Sequence, residues 1–505
     1  MCIALTKHVK QYGIDRMVAN FISGVNKLTE GYIMNLRGEE KLVNGALLAF
    51  IGDTLSSNFI AGFKESVSFA ERKCRTCLCS TQDMKTKFSD EEFDKRDLQQ
   101  HLHHCELLSN STTKQEKQHW SKTYGVTQLS VFHQTLGFNI CTGFPHDMMH
   151  VLLEGVVPLE VKLLLRYCIG EQYFSMNQVN AKLKFFSYGY SERKNKPPIY
   201  KNNIDSGDTK IKQSASQMLL LCEILPFLIG QKLPQHDHRW KSFQLSRQIV
   251  RLSSSFALHE RYISMLRVLI QEHHQLFVEV YGEENFMPKH HFMTHFPAQI
   301  QRFGPLRQHW CMRLEAKHNF FKNEVSCNFK NLAKSLSQRH QLWMCSQLVP
   351  GNTEAFLYAG HELRGGTSLP VADNDYRVAL ERKFQELGEG AEDFLKLQCA
   401  VVYGEEFRTG GYILYREEDM EGFPVFARIS EVVSLIGILC AVIKIMETHS
   451  HNSHYDCYRI DEVAVPQYTC VQLSNLKHHK VLHAHLVDGQ QFISVNQIPV
   501  IELLE

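Results

Sequence analysis

The stretch LVNGALLAFIGD, residues 42–53, decides how the N-terminal half is read. It is a short run of Leu, Ala, Ile and Phe that closes on Gly52-Asp53, the composition of a buried strand. Asp53 then stands at a strand's C-terminal end, where an open sheet presents ligands and catalytic groups. The plainer reading makes Gly52-Asp53-Thr54 a strand-to-helix turn, with Asp53 capping the next helix. Before this stretch, residues 2–27 read as two short helices split near YGID.

After it, residues 54–140 read as irregular and polar. They carry a Cys/His-rich region and the charged run KFSDEEFDKRD. From 144 to about 345 the apolar periodicity is helical, broken by the basic loop SERKNKPPIYKNN (191–203). Past GNTEAFLYAGHELRGGTSLP (351–370) the texture changes. From 396 to 505 short alternating runs such as FPVFARISEVV and QFISVNQIPVIELLE predict a small all-β module.

The chain has 505 residues, 44% hydrophobic and 22% charged, with a formal net charge of +1. That is a globular composition without a global basic field, so any nucleic-acid contact must come from local patches. The N-terminal MCIALTKHVKQYG has no apolar signal core, and the apolar run VVSLIGILCAVI (432–443) is too short to span a bilayer. A soluble intracellular protein with reduced thiols is expected, in which paired cysteines among the 15 present read as metal ligands rather than disulfides.

CRTC supplies Cys74 and Cys77, half of a four-ligand zinc site. Two segments could supply the other half. HLHHC offers His101, His103, His104 and Cys105, which spacing favours, although solvated histidines explain it equally well. KHHFMTHF offers His291 and His295 at i, i+4 on one helical face. In FPHDMMHVLLEGVVPLE (144–160), Asp147, His150 and Glu154 fall at i, i+3 and i+7 along an otherwise apolar helix. Asp147 reads either as an N-cap or as part of a site. Glu315, in the helical WCMRLEAKHNFFK, has the solvated, salt-bridged surface glutamate as its commoner reading. Asp53, Glu315 and the helix of Asp147 and His150 supply carboxylates from separate segments. That is what two Mg²⁺ or Mn²⁺ ions about 4 Å apart require to clamp a phosphodiester.

Taken in order, LLAFIGDTLSSNFIAGFKE, RKCRTCLC, FPHDMMHVLLEGVVPLE, PKHHFMTHFP and FGPLRQHWCMRLEAKHNFFK resemble transposase-derived proteins of the CACTA/EnSpm-like kind. These are cut-and-paste DDE transposases with a ribonuclease-H-like core, and the resemblance spans roughly residues 1–345. It implies a mixed α/β fold: an incomplete ribonuclease-H-like core interrupted by a large α-helical insertion, followed by the β module. The divisions expected are a partial core at 1–75, a zinc-proximal segment and insertion at 76–285, a return to the core at 286–350, a linker at 351–395 and the β module at 396–505.

By the same resemblance, Asp53 matches the second catalytic aspartate, Glu315 the closing glutamate, and Asp147 with His150 the C/D-x-x-H signature of the insertion. In the related vertebrate antigen-receptor recombinase a Cys pair follows the second aspartate and a His pair precedes the glutamate. This favours Cys74, Cys77, His291 and His295 as the structural zinc ligands, with His290 a substitute for His291.

The departure lies upstream. Only 52 residues precede Asp53, and Asp15, at a helix start, is a poor match for the first catalytic aspartate. The resemblance then implies an N-terminally truncated core without strand cleavage, with Mg²⁺ or Mn²⁺ relevant only to a complete one. DNA is the partner expected, in the nucleus or else the cytoplasm and with no membrane, through Arg193 and its neighbours and KNLAKSLSQRH (330–340). The alternative is a zinc-stapled scaffold for protein partners. A zinc hydrolase is disfavoured, since no H-E-x-x-H occurs.

Overall fold

The computed structural model describes residues 6–201, 210–322, 331–347, 361–390, 393–416, 422–476, 478 and 480–495. The expected linker residues 351–360, Lys330, Asn202 and Asn203 of the basic segments, and the tail 496–505 lie outside them.

Helices α1 (Thr6–Tyr12) and α2 (Asp15–Glu30) break at Gly13, as the sequence predicts. An antiparallel hairpin, β1 (Tyr32–Leu36) and β2 (Glu39–Val43), follows. The strand expected over 42–53 does not form beyond Val43; residues 44–53 run without strand pairing into α3 (Thr54–Ala61). The run lacks a neighbouring strand. The Phe50 N–H instead donates to the Gly143 carbonyl at 2.8 Å, and its ring packs on Phe132 and Phe144. Among the described residues before 361, β1 and β2 are the strands present, so the coarse mixed α/β class stands and a central sheet is not seen there.

Residues 54–140 are more helical than expected. After the short α4 (Asp83–Thr86), α5 (Leu98–Ser109) is capped by Asp97, whose side chain accepts from the Gln100 N–H; α6 (Lys114–Tyr124) opens with a Thr113/Glu116 capping box. A small core around Phe63, Phe132 and Phe144 ties these helices to α3.

The predicted helical region holds the largest core. A π-helix, Met149–Val156, runs directly into α7 (Val157–Gly170), followed by α8 (Met176–Phe185), α9 (Ala215–Ile229), α10 (His238–Ser253) and α11 (Glu260–Tyr281). Two short helices, α12 (Pro288–Met293) and α13 (Phe296–Phe303), lead to α14 (Met312–Lys322) and α15 (Leu332–Gln347).

The C-terminal β module is present and begins earlier than predicted. Strands β3 (Glu362–Arg364) and β4 (Thr367–Pro370) fall in the expected linker, yet β4 pairs with β5 (Asp393–Leu397) and β3 with β6 (Cys399–Val402). β7 (Glu405–Phe407) completes a small sheet with β3 and β6, while β8 (Tyr412–Arg416) joins the larger antiparallel sheet centred on the long β9 (Val425–Leu435) and β10 (Ile438–Asn452).

Candidate metal centre and the polar cluster beside it

The Cys74–Cys77 loop is pinned from behind by backbone contacts. The Arg96 N–H donates to the Thr76 carbonyl at 3.0 Å, and Arg96 Nε donates to the Cys74 carbonyl at 2.9 Å. Opposite it, His291 lies on α12 and His295 at the N-cap of α13. The single helical face expected for this pair is thus broken between them, and the two rings still converge, Nε2 to Nε2, at 3.2 Å.

Cys74 Sγ lies 3.3 Å from His295 Nε2, and Cys77 Sγ 3.2 Å from His291 Nε2. All four side chains are buried, and their ligand atoms lie within 4.8 Å of one another. Tetrahedral zinc with ordinary Zn–S and Zn–N bonds spaces its ligand atoms about 3.3–3.8 Å apart, so the donor set fits such an ion. The cluster could hold a metal such as zinc, and four protein ligands leave no open position for catalysis.

Two supporting residues were not read from the sequence. Asp90 accepts a hydrogen bond from His295 Nδ1, which leaves Nε2 free to face the cluster. Burial opposes charge on His295, but the Cys74 sulfur and Asp90 outweigh it and raise the imidazole to about 8. Burial likewise opposes charge on Asp90, and His295 and Lys95 hold it down at about 2. Cys79 is the second; its Sγ lies 3.1 Å from His291 Nε2. The run CRTCLC displays Cys79 openly, whereas nothing local marks Asp90 among the neighbouring acids of KFSDEEFDKRD.

The nearby candidate set does not join this cluster. His101 packs 5.0 Å from the Phe63 ring, and His104 stacks on Tyr124 at 3.6 Å. Burial lowers both to about 4, so they are neutral core residues on α5, and spacing misleads here. His103 lies on the same helix, and Cys105 Sγ faces His101 at 3.7 Å. His290 also points away from the metal ligands: its Nδ1 accepts from the Met287 N–H, and its ring stacks on Phe286.

The dipeptide His146-Asp147 links the metal centre to a second cluster. His146 Nε2 lies 3.7 Å from Cys74 Sγ, and its ring stacks on Phe292. Buried Arg75 clamps the approach to it, donating to the Phe144 and Pro145 carbonyls at 2.8 and 2.7 Å. The helix begins at Met148, one residue beyond Asp147. Asp147 Oδ2 accepts from the His150 N–H at 3.1 Å and lies 2.6 Å from His150 Nδ1, while Oδ1 accepts from the Cys311 N–H at 2.8 Å. Asp147 therefore caps the helix and also builds a site. His150 Nε2 lies 3.4 Å from Glu315 and 3.9 Å from Glu154.

Burial opposes charge on both Asp147 and His150, yet their pairing holds the carboxyl below its ordinary range and the imidazole above. Burial, then Asp147, Asp53 and Glu315, push the Cys311 thiol far up. Asp147, His150 and Glu315 thus form one contact cluster at Cys311, and the charge of Asp53 is felt by the Cys311 thiol. Asp53 also caps α3, accepting from the Ser56 N–H at 2.6 Å. Among the described residues, no hydrogen bond or ion pair joins it to the other three.

Arg193 is exposed on a 3-10 turn, Glu192–Asn195, whose flanks are docked: Ser191 Oγ meets His483 Nε2 at 2.7 Å, and Glu192 pairs with His485. Among the described residues no helix is long and apolar enough to cross a membrane. No family model matches the chain, and no curated protein matches it.

Proposed function

We propose that this chain is a transposase-derived protein of the CACTA/EnSpm-like, ribonuclease-H-like kind, held together by a structural zinc ion, binding DNA in the nucleus and not cutting it. The observation that carries the reading is the contact cluster of Asp147, His150 and Glu315 at Cys311, linked through His146 to a Cys₂His₂ cluster. His150 and Glu315, 165 positions apart in the chain, lie 3.4 Å from each other, which supports a site assembled from separate segments.

Cleavage is not expected of this arrangement. A two-cation site needs several free anionic oxygens. Here both Asp147 oxygens are taken by hydrogen bonds, and Glu315 faces His150, an imidazole held toward its charged form.

The purified chain should contain about one zinc, which a Cys74→Ser/Cys77→Ser variant loses together with its cooperative melt. It should leave supercoiled plasmid intact in Mg²⁺ or Mn²⁺. Nicking that Asp53→Asn removes would overturn the non-cutting reading. Affinity for duplex DNA that falls steeply with salt supports the DNA role. One observation favours a second reading, a zinc-stapled scaffold: hairpin β1–β2 exposes Tyr32, Met34 and Leu36 on one face and Ile33 and Leu42 on the other, apolar groups suited to a protein partner. Salt-insensitive protein binding with no DNA affinity would select it.

A further inference from the structure

We propose that a cavity beside the metal centre binds a small organic oxyanion, a carboxylate or sulfonate with an apolar body. The cavity measures about 390 Å³ and lies between the Cys74 loop, the segment 141–145 and α13. Sites for small ligands run from about 300 to 1,000 Å³. One side is apolar, made by Phe144, Pro145, Ala298 and Phe303.

The lining also has polar members. Arg96 Nη1, Thr142 Oγ1 and Gln299 Oε1 are buried without a hydrogen-bond partner in the protein. Arg96 and Gln299 are only 4% and 7% exposed. Buried polar atoms are mostly hydrogen-bonded, so a lining whose residues carry three that are not suits an occupant with polar groups of its own.

The charges select the sign of the occupant. Asp90 is engaged by His295 and Lys95, so both the acid and that lysine are committed. Arg302, at the rim, stacks its guanidinium 5.4 Å over the Phe303 ring and has no carboxylate partner among the described residues. The uncommitted charge at the mouth is therefore positive, and a planar guanidinium matches an oxyanion bidentately. The floor belongs to the metal centre: Thr76, whose N–H donates to Cys74 Sγ, with His295 and its Asp90 partner. An occupant would rest against the outer surface of the metal's ligands without displacing them. This assignment does not depend on the transposase reading, because no DNA or catalytic metal enters it.

The test is calorimetric titration of the full chain, metal retained, with naphthalene-2-sulfonate as probe. Binding at about one molecule per chain is expected. Arg302→Gln should weaken it about tenfold or more, through loss of charge-assisted hydrogen bonds. Ala298→Leu should abolish it by filling the cavity from an exposed position. Both variants should melt as the parent does, since neither side chain is part of a core. Absence of binding, or equal binding by both variants, overturns the site. Loss in Ala298→Leu with Arg302→Gln unaffected overturns the oxyanion assignment.

Discussion

Removing the Asp90 carboxylate leaves His295 pointing its Nε2 at the metal centre with nothing to hold the ring or its tautomer. In Asp90→Ala, metal affinity should fall about 10- to 100-fold, the usual cost of losing a histidine ligand's outer partner. Competition against a chromophoric chelator measures this. Lys95→Ala, which removes the carboxylate's other partner, should change affinity little, because His295 keeps its acceptor. The metal ligands could be read from the sequence because ligand chemistry is written locally, as a Cys pair and a His pair. Which halves belong together could not. Spacing pointed to HLHHC, and only the fold shows His101 and His104 packed against aromatic rings and turned away from the Cys pair. Asp53 was legible as the cap of the helix that follows it.

At the scale of the element, the π geometry of Met149–Val156 is what the sequence conceals. Periodicity assumed an α-helix, which would stack Asp147, His150 and Glu154 along one face. The π turn keeps His150 within reach of both acids and also opens the His150 carbonyl to Lys289 Nζ at 2.7 Å and the Glu154 carbonyl to Lys210. Those lysines come from distant segments, so no local pattern could announce them. Gly155 permits the arrangement: a Cβ there would meet Lys289 Cδ at 2.5 Å and the His150 carbonyl at 2.9 Å. Replacing glycine by alanine in an ordinary helix gains up to about 1 kcal/mol. Here the carbonyl cannot rotate away as a side chain would, so Gly155→Ala should destabilise by about 1–3 kcal/mol, read by urea unfolding. A stabilised variant would mean that the turn relaxes to α geometry and that the lysines do not hold it open. The misread strand at 44–53 has a similar cause. Its composition is that of a strand, and residues 46–49 alternate between exposed and half-buried, but a strand also needs a neighbour, which composition cannot supply.

Across the whole molecule, the change in texture toward the C-terminus was visible in the sequence, while the attachment of the β module to the helices was not. Buried Arg247 and Arg251 of α10 reach Glu223 of α9 and Asp456 of the β10–β11 turn, β11 being Cys457–Glu462. Ser494 donates to Glu223 at 3.0 Å, and the Tyr455 carbonyl accepts from Arg247 at 2.9 Å. His451 completes the surroundings of Asp456 at 3.3 Å. Burial disfavours charge on both acids, yet the two arginines hold Glu223 and Asp456 below the ordinary carboxylate range. A carboxyl depressed on folding stabilises the fold above its unfolded pKa of about 4, and that stability is lost as pH falls through the folded value. The melting temperature should therefore hold from neutral pH down to about 5 and drop steeply below about 4. Asp456→Asn leaves Arg251 and Arg247 with less than their full countercharge, and breaking a buried pair costs about 3–5 kcal/mol, so this variant should melt earlier at pH 7 and show a shallower acid decline. Scanning calorimetry from pH 3 to 7 reads both effects. A single transition moving as a whole is expected, because the network crosses the junction between helices and sheet. Two transitions, only one of them sensitive to Asp456, would mean that the β module folds apart from the helices and that the arginines merely decorate the contact.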